Sequence, residues 1–100
     1  MFRFHRTARA SRGKFPEAAQ WAKEVAGYIN TKYAPGSVQA YAEAFGDLGT
    51  VHWYADYEDL ATIERINAQL LTDQGYWALL NKANDLFIEA SVHDTMIQSL

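Results

Sequence analysis

Residues 50–57, TVHWYADY, alternate between apolar and polar side chains, and this alternation decides the fold class. Successive side chains of a β-strand point to opposite faces, so the apolar members share one face and the polar members the other. The polar face carries His52, Tyr54 and Asp56. A pairing shift of one residue would exchange the two faces. We therefore expect Trp53 to be buried against helices, with the three polar side chains on the opposite face.

Further strands are predicted on both sides of this segment. Alternating side chains and flanking turn residues predict three more strands: Phe2 to Ala10, Ser37 to Phe45 and Ile88 to Ile97. The turn sequence Gly46-Asp47-Leu48-Gly49 separates the second and third strands, which predicts an antiparallel hairpin.

Apolar residues at helical spacing predict two helical regions. The first begins at Pro16 and runs to about Tyr33, where Ala34-Pro35-Gly36 ends it. The second is interrupted by Asp73-Gln74-Gly75 into one part from Asp59 to about Leu71 and another from Tyr76 to about Leu86. The order strand, helix, strand, strand, broken helix, strand is typical of an α+β, ferredoxin-like βαββαβ fold.

This topology places the strands antiparallel in the spatial order four, one, three, two, with both helical regions on one sheet face. The other face is bare, so it must be polar or covered by another molecule. The chain of 100 residues, 49% of them hydrophobic, is long enough for one domain, taken as 1-100. No apolar run reaches the roughly 20 residues that cross a bilayer, which predicts no membrane partner.

The absence of cysteine excludes disulfides, thiolate metal sites and a cysteine nucleophile, and it favours a cytoplasmic location. The segment MFRFHRTARASRGK is rich in arginine and has no acidic residue, which is also typical of a mitochondrial transit peptide. The alternative is the first strand, which the fold requires. Nucleic-acid binding is not predicted, because the arginines fall on alternating faces and the net charge is -3.

The bare face collects most of the chemically capable side chains. Besides the polar residues of TVHWYADY, the alternation assigns to it Arg3, His5, Thr7, Arg9, Tyr41, Glu43, Phe45, Glu89, Ser91, His93 and Thr95. All three histidines of the chain therefore lie on one face of three neighbouring strands. Four interpretations are open: an internal polar layer, a ligand pocket, a catalytic site or a metal site.

The pocket interpretation rests on five residues that offer charge, hydrogen bonds and aromatic walls: Arg3, Tyr41, Glu43, Tyr54 and His93. In the catalytic interpretation His5 or His52 is the general base, and Asp56 or Glu43 orients it. A metal site formed by the three histidines is the weakest alternative, because no spacing motif brings three ligands to one point. We predict no metal.

The hairpin EAFGDLGTVHWYADYEDL and the broken helix LLTDQGYWALLNKANDLF, with the element order over about residues 2 to 98, resemble the dimeric α/β barrel superfamily. Within it, the similarity is closest to stress-responsive barrel and NIPSNAP-like members. The resemblance implies a homodimer in which two sheets pack face to face around a shared lumen.

The resemblance also implies a function. We expect a small aromatic or acidic metabolite in a polar and aromatic lumen, with a cofactor-independent oxygenase or isomerase as one form of activity. The alternative is a non-enzymatic, stress-associated or structural homodimer whose lumen is closed. Haem-binding relatives carry the ligand histidine on a helix, and the predicted helices here contain none, so no cofactor is predicted.

Overall fold

The computed structural model of the chain describes residues 1–33 and 37–100, arranged as four strands and three helices. The strands are β1 (Phe2–Arg9), β2 (Ser37–Ala42), β3 (Thr50–Tyr57) and β4 (His93–Gln98), and the helices are α1 (Phe15–Lys32), α2 (Leu60–Leu71) and α3 (Gln74–Lys82). This order confirms the ferredoxin-like βαββαβ prediction with its broken second helix. The predicted end of the first helix at Ala34-Pro35-Gly36 lies outside the described residues.

The sheet has the order β2-β3-β1-β4, and every pair is antiparallel. This is the predicted spatial order. The central strands β1 and β3 pair with Arg3 opposite Asp56 and His5 opposite Tyr54. Cross-strand partners in an antiparallel pair lie about 4.5–5.5 Å apart at Cβ, so this register determines which polar groups of the bare face can meet.

Aspartates cap the two shorter helices. Asp59 accepts a hydrogen bond from the backbone N–H of Thr62 at 2.8 Å, and Asp73 accepts one from Tyr76 at 3.1 Å. Such caps satisfy N–H groups that have no partner inside the helix. The segment at Asp73 is therefore the start of a separate helix, which explains why the second helical region is broken there.

The core lies between the sheet and α1. Val51, Trp53 and Ala55 are 2%, 7% and 3% exposed, which confirms the predicted inner face of TVHWYADY. The α1 residues Ala18 and Ala22 are buried as well. Since alanine has only a methyl side chain, α1 can approach the sheet closely at these positions.

Two strand boundaries were predicted wrongly. The second strand ends at Ala42 instead of Phe45, because Gly46 and Gly49 with φ of 95° form the turn between β2 and β3. Glu43 and Phe45 therefore belong to the connecting loop, and Phe45 is 91% exposed. Glycine adopts this left-handed conformation without steric cost.

The fourth strand begins at His93, whereas Ile88 was predicted as its start. Phe87 forms a single bridge with Ala10, and the chain then leaves the sheet through Ala90, which has a φ of 64°. Glu89 and Ser91 lie in this excursion and not in the strand; Ser91 Oγ accepts from the backbone N–H of Arg9 at 3.1 Å. The third helix likewise ends at Lys82, before the predicted Leu86. Within the described residues, no helix is both long and apolar enough to span a membrane.

Candidate functional site

The bare sheet face carries a continuous hydrogen-bonded chain of three side chains. His52 Nε2 lies 2.8 Å from Glu43 Oε1, and His52 Nδ1 lies 2.9 Å from His5 Nε2. The sheet register explains the contact between the rings, since Thr7 is opposite His52 and His5 is its neighbour on the same face of β1. Glu43 reaches His52 from the loop after β2. Within β2 itself, Tyr41 is the residue opposite His52.

The direction of this chain follows from the chemistry of its members. An ionised carboxylate can only accept, so His52 Nε2–H donates to Glu43. In neutral His52 the Nδ1 atom is then an acceptor, and His5 donates to it from Nε2–H. Nδ1 of His5 is left with an unprotonated lone pair, and the hydrogen bonds of the described residues engage only Nε2 of this ring.

Aromatic and ionic contacts surround the histidine pair. The Tyr54 ring stacks on His5 with centroids 4.3 Å apart and planes within 2° of parallel, and Tyr41 meets Tyr54 edge to face at 5.7 Å. Arg3 donates two hydrogen bonds to Asp56, at 2.8 and 3.0 Å. These bonds hold the pKa of Asp56 below its usual value. We call the seven residues the sheet-face cluster: Arg3, His5, Tyr41, Glu43, His52, Tyr54 and Asp56.

The structure does not join every predicted residue to the histidine pair. Asp56 contacts Arg3, its cross-strand partner, so of the two carboxylates proposed to orient a histidine only Glu43 is in place. His93 lies on the same face, opposite Thr7, but it is exposed and makes no hydrogen bond to another histidine. Among the described residues, no group of three or more ligands is arranged to hold a metal ion.

The protonation of His5 is shifted by its surroundings. Partial burial lowers the pKa of His5, and the neighbouring His52 and His93 lower it further. Burial acts this way because it disfavours the charged imidazolium, and a nearby imidazolium would repel it. The ring is therefore neutral, and able to accept a proton, over a wider pH range than a free histidine.

A cavity of about 390 Å³ lies on the other side of the sheet, between β1, β3, β4 and the helices. Its walls are mostly aromatic and aliphatic, and include Phe4, Trp21, Val25, Ile29, Val38, Trp53, Ala55, Tyr57, Ile63, Ile66, Leu70, Tyr76, Leu80 and Met96. We call this space the helix-side cavity. Sequence reasoning did not find it, because the size of the gap depends on how far α2 and α3 stand from the sheet.

One wall of the helix-side cavity is an ion pair. Arg6 donates to both carboxylate oxygens of Asp94, at 2.7 and 2.8 Å, from directly opposite positions on β1 and β4. The hydrogen bond with Arg6 lowers the pKa of Asp94, so the pair is fully charged near neutral pH. In the sequence, Arg6 interrupts the alternate apolar positions Phe2, Phe4 and Ala8. A second charge on the helix-facing side of the adjacent strand, at Asp94, was the signal for a paired polar wall.

The two tryptophans of the cavity are held in fixed positions. Trp21 Nε1 donates to the carbonyl of Leu79 at 2.7 Å, and Trp53 Nε1 donates to that of Ala22 at 3.3 Å. Their rings are nearly perpendicular, with centroids 6.1 Å apart. Because both N–H groups are satisfied within the protein, a molecule in the cavity would meet the apolar parts of these rings.

Comparison with known proteins agrees with this architecture. A crystal structure of an uncharacterised NIPSNAP domain protein from Burkholderia xenovorans has a TM-score of 0.84 and 19% identity, covering 100% of this chain and 95% of that one. A NIPSNAP family protein from Agrobacterium tumefaciens has a TM-score of 0.82 and 18% identity, over 99% and 92% of the two chains. An antibiotic biosynthesis monooxygenase has a TM-score of 0.73 and 9% identity, over 100% and 99%.

At these identities the similarity to solved structures shows the fold alone. No curated protein matches this chain. The sequence pattern of the NIPSNAP family matches residues 5–99, almost the whole chain. The element order, the hairpin and the broken second helix that suggested a NIPSNAP-like protein are thus accompanied by a direct family match, and the chain belongs to the NIPSNAP family.

Proposed function

We propose that this protein binds a small organic molecule in the helix-side cavity. The observation that carries the proposal is a space of about 390 Å³ walled by Trp21, Trp53, Tyr57 and Tyr76 with a single charged pair at one side. Ligand sites are typically 300–1,000 Å³, mostly apolar, with a few polar groups that fix orientation. A single subunit already provides these walls, whereas the sheet face of one subunit is an open surface.

The character of the walls favours a neutral, flat molecule. Arg6 is already neutralised by two hydrogen bonds from its guanidinium to Asp94, so an entering carboxylate would have to compete with Asp94 for the same donors. A neutral aromatic ring with one hydroxyl or carbonyl group faces no such competition. Of the aromatic and acidic metabolites expected from the sequence, we therefore favour the aromatic, uncharged ones.

We further propose that the protein is a homodimer in which the sheet-face cluster of each copy faces the other. The resemblance to dimeric α/β barrels supports this arrangement, and so does the exposure of aromatic and aliphatic side chains on or beside that face: Tyr41, Phe45 and Ile97 are 55%, 91% and 62% exposed. Burial of such groups favours association. In that dimer the predicted ligand residues Arg3, Tyr41, Glu43, Tyr54 and His93 would line a shared lumen.

Ligand binding is compatible with oxygenase or isomerase activity and also with a protein that only binds. The competing proposal is a structural or stress-associated homodimer with no ligand. Selective binding of one kind of molecule in the cavity would favour a ligand-binding protein, because a purely structural dimer needs no such selectivity.

Tryptophan fluorescence tests the proposal, since two of the three tryptophans line the cavity. The Trp77→Phe variant removes the third, which is 44% exposed. We expect 1-naphthol to quench the remaining fluorescence saturably and to raise the melting temperature, and 1-naphthoate to do so more weakly. At a hundredfold excess over its Kd, a ligand adds about 2.7 kcal/mol to the unfolding free energy. Non-saturable quenching by every member of a panel of neutral aromatic compounds would favour the structural dimer.

A further inference from the structure

The sheet-face cluster contains a chain that can move a proton. We propose that Glu43, His52 and His5 form a proton relay that makes Nδ1 of His5 a general base for small carbon or oxygen acids. This site lies on the opposite side of the sheet from the helix-side cavity, so it does not depend on the ligand proposed there. It selects His5 as the base and Glu43 as the carboxylate from the pairs that the catalytic interpretation of the sequence left open, and it adds a reactive centre to the proposed binding function.

The two hydrogen bonds provide a path for proton movement, and the tautomers that the Glu43 carboxylate favours give its direction. Both links of the chain are within hydrogen-bond distance, at 2.8 Å between Glu43 and His52 and 2.9 Å between His52 and His5. When Nδ1 of His5 takes a proton from a substrate, the Nε2 proton of His5 can pass to Nδ1 of His52, and the Nε2 proton of His52 can pass to Glu43. One proton enters at Nδ1 of His5, the Nε2–H bonds of both rings break, and new bonds to hydrogen form at Nδ1 of His52 and at the Glu43 carboxylate. The chain as a whole gains one positive charge.

The surroundings stabilise the charge that the relay acquires. The Glu43 carboxylate lies one imidazole away from His5, and the parallel Tyr54 ring covers the face of His5 with centroids 4.3 Å apart. Arg3, a cation on the same face, is held by two hydrogen bonds to Asp56, which offsets its repulsion. A carboxylate that holds one tautomer of a histidine is the usual support for a general base.

The remaining titratable groups of the face do not interrupt the relay. His93 lies diagonally across from His5 in the sheet register, without a hydrogen bond to it. Arg9 pairs with Asp47, which also accepts from Thr50. Tyr41 touches Tyr54 at its edge. The open end of the relay is therefore Nδ1 of His5, and the His5 residue is only partly buried.

The proton-transfer probe 5-nitrobenzisoxazole tests the base directly. A base removes the proton on C3, the C–H electrons form the nitrile, and the N–O bond breaks to give a coloured cyanophenolate, so no co-reactant is needed. We expect a rate at least tenfold above equimolar free imidazole, since a positioned base contributes about 10²–10⁴-fold. The rate should rise with pH along a single titration, whose midpoint matches the NMR titration of His5.

Variants separate the relay from a merely structural chain. His5→Gln should abolish the excess rate, and Glu43→Gln should lower the midpoint of the pH profile, because the charge that stabilises the imidazolium is lost. Glu58→Gln, at an exposed carboxylate outside the cluster, is the matched control and should leave both unchanged. Quenching of Trp21 and Trp53 by 1-naphthol should persist in His5→Gln, so the relay and the cavity are tested independently.

Three results would overturn the relay. These are a rate equal to that of free imidazole, an excess rate that survives in folded His5→Gln, or a pH midpoint unchanged by Glu43→Gln. Should the variants fail to fold, nitrogen NMR of the unmodified protein still decides the matter. It should find the proton of neutral His52 on Nε2 and that of His5 on Nε2, and the opposite tautomer at either ring would contradict the proposal.

Discussion

Enlarging Ala55 should stabilise the protein, because its side chain borders the helix-side cavity. Ala55 and Ala8 are each 3% exposed and belong to the same core cluster, yet only Ala55 lines the cavity. Leucine at position 55 adds roughly three carbon atoms, each worth about 0.8 kcal/mol when buried. Ordering the longer side chain costs about 0.5–1 kcal/mol, which leaves a gain of about 1.5 kcal/mol.

The same substitution at Ala8 has no such space to fill. Ala8→Leu should lower the unfolding free energy by about 1–3 kcal/mol, as overpacking does in a well-filled core. For a domain of this size a gain of about 1.5 kcal/mol corresponds to about 6–12 °C in Tm, which circular dichroism resolves. Ala55→Leu should also weaken the quenching by 1-naphthol. Equal destabilisation by both substitutions, or unchanged affinity in Ala55→Leu, would refute the assignment of a usable cavity.

Three further predictions concern the sheet. The unfolded chain binds a proton at His5 more readily than the folded chain, because the pKa of His5 in the folded protein lies below the usual value of about 6.5. The unfolding free energy should therefore fall as the pH drops below about 6.5, and it should fall less in His5→Gln. Urea titrations at several pH values measure this difference. Asp56→Asn should hardly change the Tm at pH 7, since Arg3 and Asp56 are 45% and 41% exposed and water screens such pairs; a large drop would mean that the partner copy buries this pair. Deleting residues 1–10 should abolish the cooperative thermal transition, because β1 pairs with both β3 and β4, whereas an unchanged Tm would support the transit-peptide interpretation.

The strand faces could be predicted from the sequence because they depend on a strict period of two. Val51, Trp53 and Ala55 must share a face whatever the strand packs against, and the broken helix carries its own capping residue in Asp73. The start of β4 could not be predicted, because the chain leaves the sheet at Ala90, a residue with no turn preference of its own. Local pattern rules miss a left-handed residue that is neither glycine nor asparagine.

Some parts of the candidate sites could likewise be predicted from the sequence, and others could not. Placing His5 and His52 on one face required only alternation, whereas the choice between Glu43 and Asp56 as partner of His52 required the sheet register and the loop after β2. Asp56 lies opposite Arg3 and is engaged there. The helix-side cavity depends on the distance between packed layers, which the residue pattern does not encode. The sequence therefore led only to the ligand site expected on the bare face, and the cavity became visible in the structure.

Methyl NMR on the protein with bound 1-naphthol tests the central claim, that the ligand occupies the space between sheet and helices. Ile66 is 4% exposed on the cavity wall, and Ile97 is 62% exposed on the opposite, polar face of the sheet. We expect intermolecular nuclear Overhauser effects from the naphthol ring to Ile66 and none to Ile97. Effects at Ile97 with none at Ile66 would place the ligand on the sheet face and contradict the proposed cavity site.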